Sequence, residues 1–215
     1  MSHPMNQRVN LFLLVLCGVM VAGCGSYSNI RLERRGAIGG AVPSVPSSAK
    51  VAVLKVTARE AEQQLSSGWA VGVAEYPAAA RDFADLVAHA ADRAQWAQVM
   101  SPIEVEDATE GQEMEFDLQP DRAQLDKVAK ALDCSHYLTA DVRKWRMSYL
   151  VFFQRSCVVY TLSCYETGKA EPLWQAQGDA CERYATDREV AIRALERTFR
   201  RVKDRATAKQ TQGAS

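Results

Sequence analysis

Six cysteines and three histidines hold the most reactive side chains of this 215-residue chain. Cys134 and His136 stand two apart, in Cys134-Ser135-His136. A thiol beside an imidazole is a nucleophile–base pair when a third group orients the base. Alternate residues of a strand share a face without aiming their reactive atoms at one another, so this pair needs help to react. Zinc would need close ligand pairs, and no CxxC or HExxH spacing accompanies these residues. No metal and no cofactor is therefore expected. No Gly-rich phosphate loop and no GxSxG elbow occurs. His89 lies in a helical stretch, off its apolar stripe. The expected class is not an enzyme, with a Cys134–His136 hydrolase as the remote alternative. Cys134, Cys157, Cys164 and Cys181 otherwise read as buried thiols or disulfide partners. Four cysteines allow three pairings, and spacing does not choose among them.

Cys24 suggests a different chemistry. The apolar run Leu11–Val21 is too short to cross a bilayer, which takes about 20 apolar residues. It has the length of a secretory signal, with Arg8 before it and small residues after it. Val21-Ala22-Gly23-Cys24 resembles the bacterial lipobox, in which the chain is cut before a cysteine that is lipidated. Cys17 follows the bulky Leu14-Val15-Leu16 and belongs to the discarded signal. The expected product has residues 1–23 removed and lipid on Cys24. One acyl chain binds a membrane only marginally, so stable anchoring takes two or more. Gly25 replaces the Asp that resembles an inner-membrane retention signal, which favours the outer membrane, facing the periplasm.

Residues 1–23 contain Arg8 and no acid, so the remainder carries 25 basic and 26 acidic residues, a net charge of −1. That leaves no electrostatic footprint for nucleic acid, and nothing points to a small-molecule substrate. Residues 24–49 are rich in Gly, Pro and Ser and read as anchor plus flexible tether, reaching roughly 25–30 Å. Residues 50–205 suffice for one well-buried domain. Residues 206–215 read as a disordered tail.

Within the domain, Lys50–Val56 is a β-rich run and a candidate central strand. Residues 58–76 are ambiguous between a helical turn, a loop and an edge segment. Phe83, Leu86, Val87, Ala90 and Ala94 form one helical stripe, with Pro77 suited to the first turn. Gln98–Val105 reads as a strand and Glu106–Phe116 as an acidic loop. Asp121 and Gln124 form a capping box before the stripe Leu125, Val128, Ala129, Leu132. Strands follow at His136–Arg146 and Tyr149–Tyr165, then a turn at Glu166-Thr167-Gly168-Lys169 and a return at Leu173–Cys181. Val158, Tyr160, Leu162 and Cys164 share one face of the outgoing strand, and Cys157 takes the other. Thr186 and Glu189 cap a last helix whose stripe is Val190, Ala194, Leu195, Phe199 and Val202, with Ile192 on its edge. The order β-α-β-α-β-β-β-α implies an α/β fold, a single two-layer sandwich with a mixed sheet.

The segment Asp133-Cys134-Ser135-His136-Tyr137-Leu138-Thr139-Ala140-Asp141-Val142 resembles a strand of periplasmic lipoproteins. These are related to the curli-secretion lipoprotein, the TolB N-terminal domain and the lipoprotein activators of penicillin-binding proteins. Lys144-Trp145 through Tyr149, then Tyr165-Glu166-Thr167-Gly168-Lys169 with Leu173-Trp174, is similar to a family of bacterial lipoproteins of unassigned function. The likeness covers about residues 50–205 and rests on structural residues. It implies an accessory or regulatory subunit of an envelope complex, held by lipid and acting through protein contacts. Trp69, Tyr76 and Trp96, with the acidic loop, are the candidate contact residues, since aromatics often mark interfaces; for each aromatic the other reading is burial in the core, which ordinary burial preference favours. The alternative is an oligomeric outer-membrane secretion component, which would need further strand hairpins.

Overall fold

The computed structural model describes residues 26–34, 37–38, 42–67, 70–109, 121–150 and 153–212. In chain order the elements are β1 (Tyr27–Arg34), β2 (Ala37–Ile38), β3 (Lys50–Ala58), β4 (Ala61–Ser67), β5 (Ala70–Glu75), α1 (Ala79–Arg93), β6 (Gln98–Met100) and α2 (Pro102–Thr109). Then come α3 (Arg122–Ala131), β7 (His136–Leu150), β8 (Phe153–Glu166), β9 (Trp174–Arg183) and α4 (Asp187–Gln212). One mixed sheet runs in the order β2-β1-β9-β8-β7-β3-β6, and the β4–β5 hairpin joins it through β7. β3 is parallel to both β6 and β7, while β7, β8, β9 and β1 are successively antiparallel. This is the α/β sandwich with a mixed sheet that the sequence implies.

The core explains which strand is central. Val51 and Val53 of β3 join the large cluster under α1 and α4, whereas Ala52 and Leu54 join a smaller cluster under α2 and α3. A strand buried on both faces reads as a continuous apolar run, and that is the origin of Val51-Ala52-Val53-Leu54. The α1 stripe is buried throughout, as is that of α4. Trp96, Trp174 and Phe199 pack together on one side of that layer, and Phe83, Trp145 and Tyr160 on the other. Trp145 Nε1 also donates to Asp187 O at 3.1 Å, pinning β7 to the start of α4.

β7 shifts register between Val142 and Lys144. Val142 and Trp145 are an odd number of residues apart, yet both are buried in the same cluster. A bulge inserts one unpaired residue and restores the parity. The strand expected to end at Arg146 runs on to Leu150, and the next, expected from Tyr149, begins at Phe153.

Four further expectations are corrected. Residues 27–34, assigned to the tether, form a strand with seven residues in register on β9, from Tyr27↔Cys181 to Glu33↔Gln175. Their local sequence lacks a strand signal, and the ladder with β9 supplies the order. The strand expected at Gln98–Val105 stops at Met100. Ser101-Pro102-Ile103-Glu104 is a capping box with proline in the first turn: Glu104 N donates to Ser101 Oγ at 3.3 Å, and Ser101 N donates to Glu104 Oε2 at 2.7 Å. α2 thus takes the first four residues of the expected acidic loop, Glu106–Thr109; residues 110–116 of that loop lie outside the described residues. The ambiguous stretch 58–76 contains the β4–β5 hairpin. α4 continues to Gln212 through residues assigned to the tail, because Ala, Lys and Gln are good helix formers.

The starts of α3 and α4 match the sequence, whereas α1 begins at Ala79, so Pro77 lies before the helix and not in its first turn. Asp121 and Gln124 make both bonds of a capping box, and Glu189 N donates to Thr186 Oγ1 at 3.1 Å while Thr186 N donates to Glu189 Oε2 at 2.9 Å. Gly168 has φ +83°, which suits glycine in the turn before β9.

Gly178 has a different reason to be glycine. A Cβ there would lie 2.3 Å from Tyr160 Cζ. The Tyr160 ring crosses that position so that its hydroxyl reaches Thr198 Oγ1 on α4, 2.8 Å away. Gly178→Ala is expected to destabilise the protein by about 1–3 kcal/mol, the cost of overpacking a closed core. Urea unfolding of the variant against wild type measures it, and an unchanged midpoint would show that the ring moves aside freely.

Candidate functional site

The cysteines separate by strand parity. Cys157 and Cys181 stand opposite each other on β8 and β9 and form a disulfide across 24 residues. Cys134 and Cys164 are free and buried. Cys164 lies on the inner face with Val158, Tyr160 and Leu162, and burial pushes its thiol far up. Cys134 lies in the smaller cluster, with Sγ 3.7 Å from both Met100 Sδ and Leu132 O. Burial raises its pKa as well, against the pull of Lys50.

His136 does not complete a dyad with Cys134. Its Nδ1 is 2.9 Å from Ser135 Oγ, and burial lowers its pKa while Glu166 opposes that shift. A raised thiol and a neutral imidazole with separate neighbours do not assemble a nucleophile and its base. His89 is exposed on α1. Among the described residues no group of three or more His, Cys, Asp or Glu side chains is placed to hold a metal ion.

The candidate contact aromatics fare differently. Trp96 is 4% exposed and packs on Trp174 and Phe199, so it is a core residue and not a contact residue. Tyr76 is half-buried against Trp145, and its hydroxyl donates to Asp82 at the start of α1. Trp69 and Cys24 lie outside the described residues. The exposed tyrosines are instead Tyr27, at the start of β1, and Tyr184, just after β9 with φ 57°. Neither carried a sequence signal, because their exposure follows from where β1 docks.

Among the described residues, the surface best placed to meet another molecule is the part of the sheet that no helix covers. α2 and α3 close only the end of the second face, over Ala52, Leu54 and Tyr137. Beyond them a polar groove of about 460 Å³ opens, lined by Lys55, Thr57, Asp141, Arg122, Ser163 and Tyr165 among others. Thr57 Oγ1 donates to Asp141 Oδ1 at 2.9 Å, and Arg59 Nε lies 3.3 Å from the same oxygen. Gln175 Nε2 donates to Ser163 Oγ at 3.0 Å. The Arg122 guanidinium lies 3.7 Å above the Tyr165 ring, a cation–π contact, and also donates to Lys169 O. The pattern was present in β8 and β9 as the alternation of Val158, Tyr160, Leu162 and Trp174, Ala176 with Thr161, Ser163, Gln175 and Gln177. Such a face binds through polar contacts and can remain wet.

No protein-family model matches the chain, and no curated protein matches its sequence. Solved structures do resemble it in fold. The PelC dodecamer from Paraburkholderia phytofirmans is 15% identical with a TM-score of 0.54, over 81% of this chain and 96% of that one. Lipoprotein GNA1162 from Neisseria meningitidis is 12% identical with a TM-score of 0.43, over 63% and 84%. Protein XCC0632 from Xanthomonas campestris is 12% identical with a TM-score of 0.36, over 81% and 95%. At 15% identity the likeness to PelC is one of fold.

Two measurements follow. Thiol titration of the four domain cysteines is expected to find none reactive in the native protein, two after unfolding and four after reduction. A reactive native thiol would return attention to Cys134. Cys157→Ser is expected to cost about 3 kcal/mol of stability, the loop-closure scale for a bridge of this span, read from urea unfolding with and without reductant.

Proposed function

We propose that this protein is a lipid-anchored head on the periplasmic side of the outer membrane, an accessory or regulatory subunit that works by protein contacts and performs no catalysis. The register of β1 carries the reading. Tyr27 stands opposite Cys181, and Ser26 Oγ accepts from the Arg183 N–H at 3.4 Å. Cys24 is two residues earlier in the chain, within about 7 Å of extended backbone from Ser26. A lipid on Cys24 holds this end of the sheet at the membrane, with little slack. Tyr27 and Tyr184 are exposed at the same end, and tyrosine is favoured at the headgroup level. The strands then run away from the bilayer. The open polar face looks along the membrane, towards a neighbour on the same surface.

A second reading has a specific support. PelC, which shares the fold, forms a dodecamer. A ring of copies of this chain, serving a secretion assembly, is the corresponding alternative, and the neighbour on the open face is then a second copy.

The test is labelling with radioactive palmitate, followed by light scattering and crosslinking of the detergent-extracted protein. Label in wild type and none in Cys24→Ala is expected, together with a complex larger than one chain. Unlabelled wild type would remove the anchor. A labelled monomer with no crosslinked neighbour would remove the contact reading. A complex of this chain alone favours the ring.

A further inference from the structure

The arginines of α4 fall into two groups. Arg193 and Arg197 pair with Glu182, Arg200 with Glu196, and Arg188 with Asp82. Arg201 and Arg205, nearer the C-terminus, have no acidic partner among the described residues. They turn towards β1, where Arg201 Nη1 donates to Ile30 O at 2.7 Å. Beside that contact lies a cavity of about 800 Å³, lined by Arg31, Arg143, Arg201 and Arg205, with Asp179 as its one carboxylate among the described residues. Arg143 comes from the bulge of β7 and lies 3.5 Å from Thr161 Oγ1.

Among the described residues Arg205 Nη1, Asp179 Oδ1 and Ser28 Oγ, all in the lining, lack a hydrogen-bond partner, although the Asp179 carboxylate also meets the Tyr27 hydroxyl. Buried donors and acceptors are ordinarily satisfied, and leaving them unmade is costly. A guanidinium cluster suits an oxyanion, which takes two parallel N–H bonds from each fork. The carboxylate narrows the choice. A fully ionised oxyanion would accept from the arginines and repel Asp179. A phosphate that keeps a proton can accept from the arginines and donate its P–OH to Asp179.

We propose that this cavity binds a phosphate group that carries a hydroxyl, either free phosphate or the monoester headgroup of a lipid. The site draws on β1, β7, β9 and α4 at once, so it exists only when β1 is docked. It does not depend on the lipid anchor.

The test is calorimetric titration of the full chain in detergent at low salt and neutral pH, with inorganic phosphate, sulfate and short-chain phosphatidic acid. Saturable phosphate binding is expected, with sulfate weaker. Arg205→Gln and Arg31→Gln each weaken it about tenfold or more, the scale of one charge-assisted hydrogen bond. Asp179→Asn narrows the gap between phosphate and sulfate, and Arg188→Gln, outside the cavity, leaves binding unchanged. Circular dichroism and the melting temperature confirm that each variant is folded. Binding of phosphatidic acid without free phosphate assigns the site to a lipid headgroup, and binding of both assigns it to the phosphate itself. No saturable binding of either, or binding that survives both arginine substitutions, overturns the proposal.

Discussion

The Tyr160 ring fills the space that a side chain at position 178 would need, and the layers of this protein meet around it. β8 lies between β7 and β9, and Tyr160 reaches from its inner face across Gly178 to Thr198 on α4. Phe83 of α1 packs on the same ring. One aromatic side chain therefore ties together two strands and two helices. A non-glycine residue on β9 would push α4 outward. The displacement would also reach β1, because Arg201 of α4 is bonded to its backbone.

Strand parity then decides the chemistry of the cysteines. A one-residue step moves a side chain to the opposite face. Cys164 shares the face of Tyr160 and is sealed in the core, while Cys157 has the other parity and meets Cys181 across the ladder. Four similar side chains thus become two inert thiols and one cross-link. Cys134 and His136 are neighbours in sequence, but the burial that keeps the thiol protonated also disfavours charge on the imidazole.

Docking of β1 has the largest consequence for function. As a free tether, residues 24–49 would let the domain sample a wide volume around its anchor. Tyr27–Glu33 instead pair with β9, and with α4 they border the arginine cavity. Strand β1 and the cavity are coupled by position. One face of the sheet carries the larger apolar core, and the polar groove opens on the other.

Periodic features were legible in the amino-acid sequence because they are local. The stripes of α1, α3 and α4, the capping boxes at Asp121 and Thr186, and the alternation of β8 and β9 each lie within one element. Together they determine an α/β sandwich, and the N-terminal pattern through Cys24 supports the reading of an anchored envelope protein. The capping box at Ser101 was equally local, but the β-rich residues before it obscured it. Other features could be decided only by the tertiary structure. β1 is a strand because β9 offers an edge, not because Tyr27–Arg34 has a strand pattern. Trp96 is a core residue because Trp174 and Phe199 converge on it from distant parts of the chain. Cys157 pairs with Cys181 because β8 and β9 place them opposite each other, and four arginines face one cavity because an edge strand, a bulge and a helix end meet there. In each case the deciding energy comes from residues far apart in sequence, and only packing brings them together.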